Sequence, residues 1–254
     1  HLERIQALDG NLNAYITVLA DPALEKARAA ERVFASGEGA NPLQGIPIAV
    51  KDLVYTKGIR TTAGSKILAD FSPEYDATVI EQLENVGAVL LGKLNMMEFA
   101  MGGTYTNIHY GATHNPWDLE RIVGASSSGP GAAVAAGLAM GALGTDTGGS
   151  IRGPAHNCGI VGLKPTYGRV SRHGVVPMSW SMDHVGPMTR TVEDCGLMLQ
   201  AVAGYDPKDH TSSKASVPDY IAGLKIGVRG LRIGVQRHQF VDLEEEIVQA
   251  IDTG

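Results

Sequence analysis

Residues 124–150 read GASSSGPGAAVAAGLAMGALGTDTGGS. Two glycine-serine clusters flank an alanine-rich run, and no other stretch limits the possible folds so strongly. A solvated linker does not fit, because AAVAAGLAMGAL over residues 132–143 is too apolar to stay in water. The run reads as a buried helix between two tight turns. Three readings of the clusters remain. A phosphate-binding loop lacks its lysine, since TDTGGS continues into Ile-Arg. A purely structural glycine-rich core is the second. A nucleophile site is the third.

The rest of the chain supplies a frame for such turns. Residues 2–8 and 22–35 have helical spacing, with Pro22 suited to a first turn. GIPIAVKD over 45–52 reads as a short strand that enters a polar turn. DATVIEQLENV over 76–86 reads as a helix capped by Asp76, with Val79, Leu83 and Val86 on one face. AVLLGK follows Gly87 as a buried strand. Further strands are expected at 158–164 and in the pair LKIGV and LRIGV within 224–235. Thr191 is placed to cap a helix over 191–202, and 206–219 reads as an exposed loop. Helices alternating with apolar strands predict an α/β fold, a mixed and largely parallel sheet covered by helices on both faces. With 254 residues and 44% hydrophobic side chains, the chain reads as a single domain over 1–254.

Composition narrows the function classes. A formal net charge of -6 does not suit a nucleic-acid partner, so no direct nucleic-acid binding is expected. No apolar run is long enough to span a membrane. Cys158 and Cys195 form no CxxC and read as reduced, and with no signal peptide visible the expected location is cytoplasmic. No HExxH or similar pattern marks a metal site, and no cofactor is implied.

The nucleophile reading has a physical basis. Thr147-Gly148-Gly149-Ser150 can turn tightly enough for its N–H groups to point one way and hold an oxyanion beside the serine hydroxyl. The hydroxyl needs a base. Eight histidines are available, at 1, 109, 114, 156, 173, 184, 210 and 238, but none lies in a GxSxG elbow. Lys51 in GIPIAVKD is the other candidate. A lysine works as a base near neutral pH only if burial lowers its pKa by about 3 units, roughly 4 kcal/mol. Pairing of Lys51 with its neighbour Asp52 is the simpler local reading.

A set of motifs decides between these. GIPIAVKD (45–52), NPWD (115–118), GASSSG (124–129), GTDTGGSIR (144–152) and GLKPTYGRVSRHG (162–174) together resemble the amidase signature family, in that family's order. The resemblance implies the amidase signature fold and a Ser–cis-Ser–Lys triad. Lys51 matches the lysine, Ser126 the bridging serine on a cis peptide, and Ser150 the nucleophile. It implies acyl transfer, with N–H groups of Thr147, Gly148, Gly149 and Ser150 at the oxyanion. Ser127, Asp146 and Arg152 match supporting positions, and the backbone near Ala100 in EFAMGG matches a segment lining the acyl pocket.

The chain also departs from the family pattern. The usual GGSSGGS is GASSSGP here, with Ala125, Ser128 and Pro130 altering the loop. It is shorter than most members and is read as incomplete at its C-terminus. Two activities follow from the resemblance. One is a free-standing amidase acting on a small-molecule amide, for which a homodimer is one assembly to expect. The other is the glutaminase-type A subunit of a tRNA-dependent amidotransferase with partner subunits, which NPWDLER and the 162–174 stretch suggest. The altered serine loop favours the amidase. An inactive scaffold is the third reading, which intact Lys51, Ser126 and Ser150 oppose.

Overall fold

The computed structural model describes residues 1–37, 41–102, 106–236 and 243–253. A six-stranded sheet forms its centre, in the order β1-β3-β2-β6-β8-β7. The strands are β1 (Tyr15–Val18), β2 (Pro47–Lys51), β3 (Val89–Leu94), β6 (Gly141–Asp146), β7 (Val161–Gly162) and β8 (His184–Thr189). The short strands β4 (His114–Asn115) and β5 (Asp118–Ile122) form a separate hairpin. β2 runs parallel to both β3 and β6, while β1 and β8 run against their neighbours. The sheet is therefore mixed, with its parallel part at the centre, as expected.

Central strands alternate apolar side chains between two cores. Ile48, Val50 and Leu143 face one core, closed by α3 (Thr78–Asn85) and α6 (Val192–Val202). Ala49 and Ala142 face the other, closed by α1 (Leu2–Leu12), α2 (Ala20–Ser36) and α4 (Ser128–Ala135). Both faces of the sheet are thus covered, which is why β2 and β6 read as continuous apolar runs. α5 (Arg152–Cys158) packs at the sheet end beside β7. The remaining helices, α7 (Tyr220–Leu224) and α8 (Glu245–Thr253), bury none of their residues.

Several expectations need correction. The apolar run 132–143 is not one helix: α4 stops at Ala135 and the run continues as β6 from Gly141. Both halves are apolar and buried except for the half-buried Ala135, so hydrophobicity alone cannot mark the join. Asp76 does not cap α3. Its Oδ1 accepts the Lys57 N–H at 2.7 Å, and Ala77 occupies the cap position. Thr191 does cap α6, accepting the Asp194 N–H at 3.1 Å. Of 158–164 only Val161 and Gly162 form a strand, because Cys158 completes α5. Residues 225–236 contain no strand. Ile226 and Ile233 are 85% and 81% exposed, so they have no packed face to pair against. The 206–219 segment is not simply solvated, since Asp206 is buried and accepts the hydroxyls of Thr78 and Ser171. Both cysteines are free and buried, and no described helix is long and apolar enough to cross a membrane.

Candidate active site

Parallel strands β2 and β6 lie side by side, with Val50 opposite Leu143, so their C-terminal ends open at one edge of the sheet. Ligand sites form at such ends. β2 delivers Lys51 there, and β6 delivers Thr145 and Asp146. The start of α4 arrives from the facing layer with Ser126 and Ser127.

Lys51 is fully buried. Its Nζ meets three hydroxyls: Ser126 Oγ at 2.8 Å, Ser127 Oγ at 3.0 Å and Thr145 Oγ1 at 2.8 Å. Among the described residues no carboxylate forms an ion pair with it. The simpler local pairing is thereby overturned. Asp52 turns away, and its Oδ2 accepts both the amide and the hydroxyl of Thr62. Burial pushes the Lys51 amine down to about 7, partly opposed by the charges of Asp146 and Asp183. Three hydroxyl partners fit both an ammonium with three N–H donors and a neutral amine with two donors and one lone pair. Ser127 Oγ already donates to the Thr145 carbonyl at 3.1 Å, so it accepts from Lys51. Ser126 and Thr145 likewise accept from the ammonium form, and in the neutral form either hydroxyl can donate to the lone pair instead.

Ser150 follows β6 by one turn. Its Oγ accepts the N–H of Ser126 at 3.3 Å. The two serines therefore meet through an amide. No peptide bond among the described residues is cis, which corrects the expectation at Ser126. The chain instead turns into the serine loop through Gly124 at φ 82° and Ala125 at φ 48°. The altered loop residues are absorbed away from Lys51. Ser128 Oγ donates to Thr113 Oγ1 at 3.2 Å. Pro130 is the third residue of α4, where an N–H would have no partner within the helix.

Asp146 organises the turn. Its carboxylate accepts the N–H groups of Gly149 at 2.8 Å and Ile151 at 3.1 Å, and the Arg152 Nε and Nη2 at 3.0 Å each. Burial opposes its ionisation, but the Arg152 fork and these backbone donors outweigh that and hold the carboxyl down at about 2. The Gly149 N–H, expected at the oxyanion, is thus bonded inside the turn to the Asp146 carboxylate. Gly149 itself sits at φ 127°, a conformation that favours glycine.

A cavity of about 430 Å³ opens over this edge. Thr145 and Thr147, from the end of β6 and the turn after it, line it together with Ala100. Ala100 lies in a single 3₁₀ turn, Glu98–Ala100, and both Phe99 and Ala100 have positive φ. Gly103, the last residue of EFAMGG, lies outside the described residues. The far wall comes from Tyr75 and from residues within 172–185 and 208–211, including His173, Met178 and Trp180. Tyr75 and His173 stack at 5.3 Å between ring centroids. Among the described residues no histidine hydrogen-bonds Ser126 or Ser150; His184 Nδ1 faces the carbonyls of Asp146 and Met182.

Three participants escape sequence reasoning. Thr145 is one, although a threonine in the apolar strand GALGTD signals an inward polar contact. Asp183 is another: Thr147 donates its hydroxyl to Asp183 Oδ1, and Asp183 Oδ2 accepts the N–H groups of Met178 and Ser179. The third is Arg172, whose guanidinium holds the Trp180 carbonyl, Tyr167 and Thr211 at 2.8–2.9 Å.

Known proteins share this fold. The A subunit of glutamyl-tRNA(Gln) amidotransferase from Moorella thermoacetica is 55% identical over 251 residues, covering 98% of this chain and 52% of that protein. The subunit of the same name from Geobacter sulfurreducens is 55% identical over 99% of this chain and 52% of its own length. Among solved structures, the A subunit of Thermotoga maritima superposes with a TM-score of 0.86 at 38% identity, covering 99% of this chain and 53% of that one. The native peptide amidase of Stenotrophomonas maltophilia superposes with a TM-score of 0.81 at 41% identity, covering 88% and 48%. The chain spans about half the length of the curated relatives it matches. Residues 1–253 match the family described as Amidase, and the chain belongs to that family.

Proposed function

We propose that this chain carries the reacting half of an amide-cleaving enzyme, with Ser150 as nucleophile, Ser126 as proton bridge and Lys51 as base. One observation carries the reading: a fully buried lysine amine held by three hydroxyls and no carboxylate. With its pKa lowered to about 7, such an amine has a substantial neutral fraction near pH 7, and that form can take a proton, which an ammonium cannot.

The steps balance as follows. Lys51 Nζ accepts the proton of Ser126 Oγ as Ser126 Oγ accepts that of Ser150. The Ser150 oxygen bonds to the amide carbon, and the carbonyl oxygen becomes an oxyanion. The N–H groups of Thr147, Gly148 and Ser150 are the donors left for it, because Gly149 is bonded to Asp146. The proton returns along the relay to the nitrogen, the C–N bond breaks, and an acyl ester stays on Ser150. Water then takes the nucleophile's place and frees the acid. Transfer between the serines needs their hydroxyls within hydrogen-bond reach, and the resting contact runs through the Ser126 amide; substrate binding closes that step.

An alkyl fluorophosphonate tests this reading. Ser150 displaces fluoride at phosphorus, and mass spectrometry finds the adduct on its peptide. An adduct on another residue, or none, overturns the assignment.

A second reading concerns the setting of the reaction. The curated relatives at 51–55% identity are named as A subunits of glutamyl-tRNA(Gln) amidotransferase. That similarity supports a glutaminase-type subunit, which would release ammonia from glutamine for a partner. The altered serine loop does not argue against it, since Ser128 and Pro130 are accommodated away from Lys51. The peptide amidase likeness supports the free-standing amidase. Ammonia release from glutamine alone, compared with other carboxamides and without added proteins, separates the two.

A further inference from the structure

Asp183 immediately precedes β8, and His184 is the residue across the ladder from Asp146. Its carboxylate thus stands where the nucleophile turn leaves the sheet. Its Oδ1 takes the Thr147 hydroxyl, and its Oδ2 takes the Met178 and Ser179 N–H groups, at 2.8 and 2.9 Å. The two oxygens therefore belong to two different parts of the site. One side is the nucleophile turn, which brings Thr147 to the cavity lining. The other is the wall segment that carries Met178 and Trp180. Arg172, itself in the cavity lining, holds that wall a second time through the Trp180 carbonyl at 2.9 Å.

We propose that Asp183 is a positioning residue that fixes the oxyanion turn through the Thr147 hydroxyl and sets that turn against the substrate wall. The proposal rests on the reading of Ser150 as nucleophile. A hydroxyl bonded to a carboxylate is a strong, directional contact. It limits the rotation of Thr147 about its own backbone, and hence the direction of the neighbouring N–H groups. Small displacements of such donors cost rate far more than they cost binding. Nothing in the ladder requires this bond. The strand pairing of Asp146 with His184 is made by backbone, so the Thr147–Asp183 contact is additional to the fold.

The test is the kinetics of Ser150 labelling by an alkyl fluorophosphonate, followed at several probe concentrations. Thr147→Val keeps the side-chain shape and removes the donor. The saturating labelling rate is expected to fall by about ten- to a hundredfold, with the half-saturating concentration little changed. Thr147→Ser restores the hydroxyl and is expected to recover most of the rate. Asp183→Asn keeps an acceptor for Thr147 but cannot accept both wall N–H groups with its other atom. It is expected to slow labelling as well, and combining it with Thr147→Val should cost less than the sum of the two losses. Circular dichroism and the urea midpoint show whether each variant is folded; if Thr147→Val is not, Asp183→Asn and its double variant with Thr147→Ser decide. A folded Thr147→Val or Asp183→Asn labelled as fast as the unaltered protein overturns the positioning role alone. Unaltered protein that is not labelled at Ser150 removes the underlying reading and the proposal together.

Discussion

The amide N–H of Ser126 donates to Ser150 Oγ at 3.3 Å, while the hydroxyl of the same residue meets Lys51 Nζ at 2.8 Å. One residue therefore touches both ends of the proposed proton path with different atoms. The two contacts can be separated by mutation. Ser126→Ala keeps the N–H and removes the hydroxyl. It is expected to lower amide turnover by about 10²–10⁴-fold, the range of a lost general acid–base group, with unchanged circular dichroism. Turnover within a few-fold of the unaltered protein would show that Lys51 does not act through Ser126.

Lys51→Met should remove turnover to a similar extent without unfolding the chain. The methionine fills the buried volume, and Ser127 retains its bonds to Thr145. The same variant tests the charge state. An ordinary lysine titrates near 10.5 and this one, through burial, near 7. Between those values the unfolded chain binds a proton that the folded chain does not. Stability attributable to this group thus rises as pH goes from about 7 to about 10. The difference in urea stability between the unaltered protein and Lys51→Met should grow in favour of the unaltered protein across that window, and a flat difference would contradict the neutral amine.

The rate should follow the same group. Protonated Lys51 cannot accept from Ser126, so kcat/KM for an amide should rise with pH through an apparent pKa near 7. Removing the Asp183 charge removes one influence that raises this value, so Asp183→Asn should move the rising limb to lower pH. A limb that stays in place would mean that another group controls it.

Asp146 bears on stability more than on chemistry. Asp146→Ala leaves the N–H groups of Gly149 and Ile151 and the Arg152 fork without their acceptor. A loss of about 3 kcal/mol or more in urea unfolding is expected. The carboxyl is held at about 2 in the folded chain, below its usual 3.8. Its contribution should therefore be present above pH 4 and lost as pH falls towards 2.

Gly129→Ala tests how tightly the serine loop is docked. A β-carbon there would lie 2.4–2.6 Å from backbone atoms of Asn95 and Ala14. Backbone cannot swing aside as a side chain can, so a loss of about 1–3 kcal/mol is expected, together with slower labelling of Ser150. An unaffected urea midpoint would show that the loop can shift freely.

Much of this architecture is legible in the sequence. Helices α1, α2 and α6 show an apolar stripe at helical spacing, and β2 and β3 are short apolar runs between turns. The join between α4 and β6 is not legible, because residues buried on all sides carry no period. Asp76 has the type and place of a cap, yet a loop amide at Lys57 takes its carboxylate. Within the site, Lys51 and Ser150 stand out only as parts of a motif set. Local sequence pairs Lys51 with Asp52, and only the direction of each side chain at the end of β2 separates them. Thr145 and Asp183 depend on which strand ends meet in space, and that is a property of the sheet order rather than of any short stretch.

The sheet order has one more outcome. Lys51, Thr145 and Asp146 sit on central strands paired on both sides, whereas Trp180, His173 and Thr211 ride on loops outside the ladder. Regions of these two kinds open at different free energies. Mild denaturant should therefore loosen the grip on a substrate before it disarms the attacking oxygen, so that recognition and reactivity fade in sequence and not as one event.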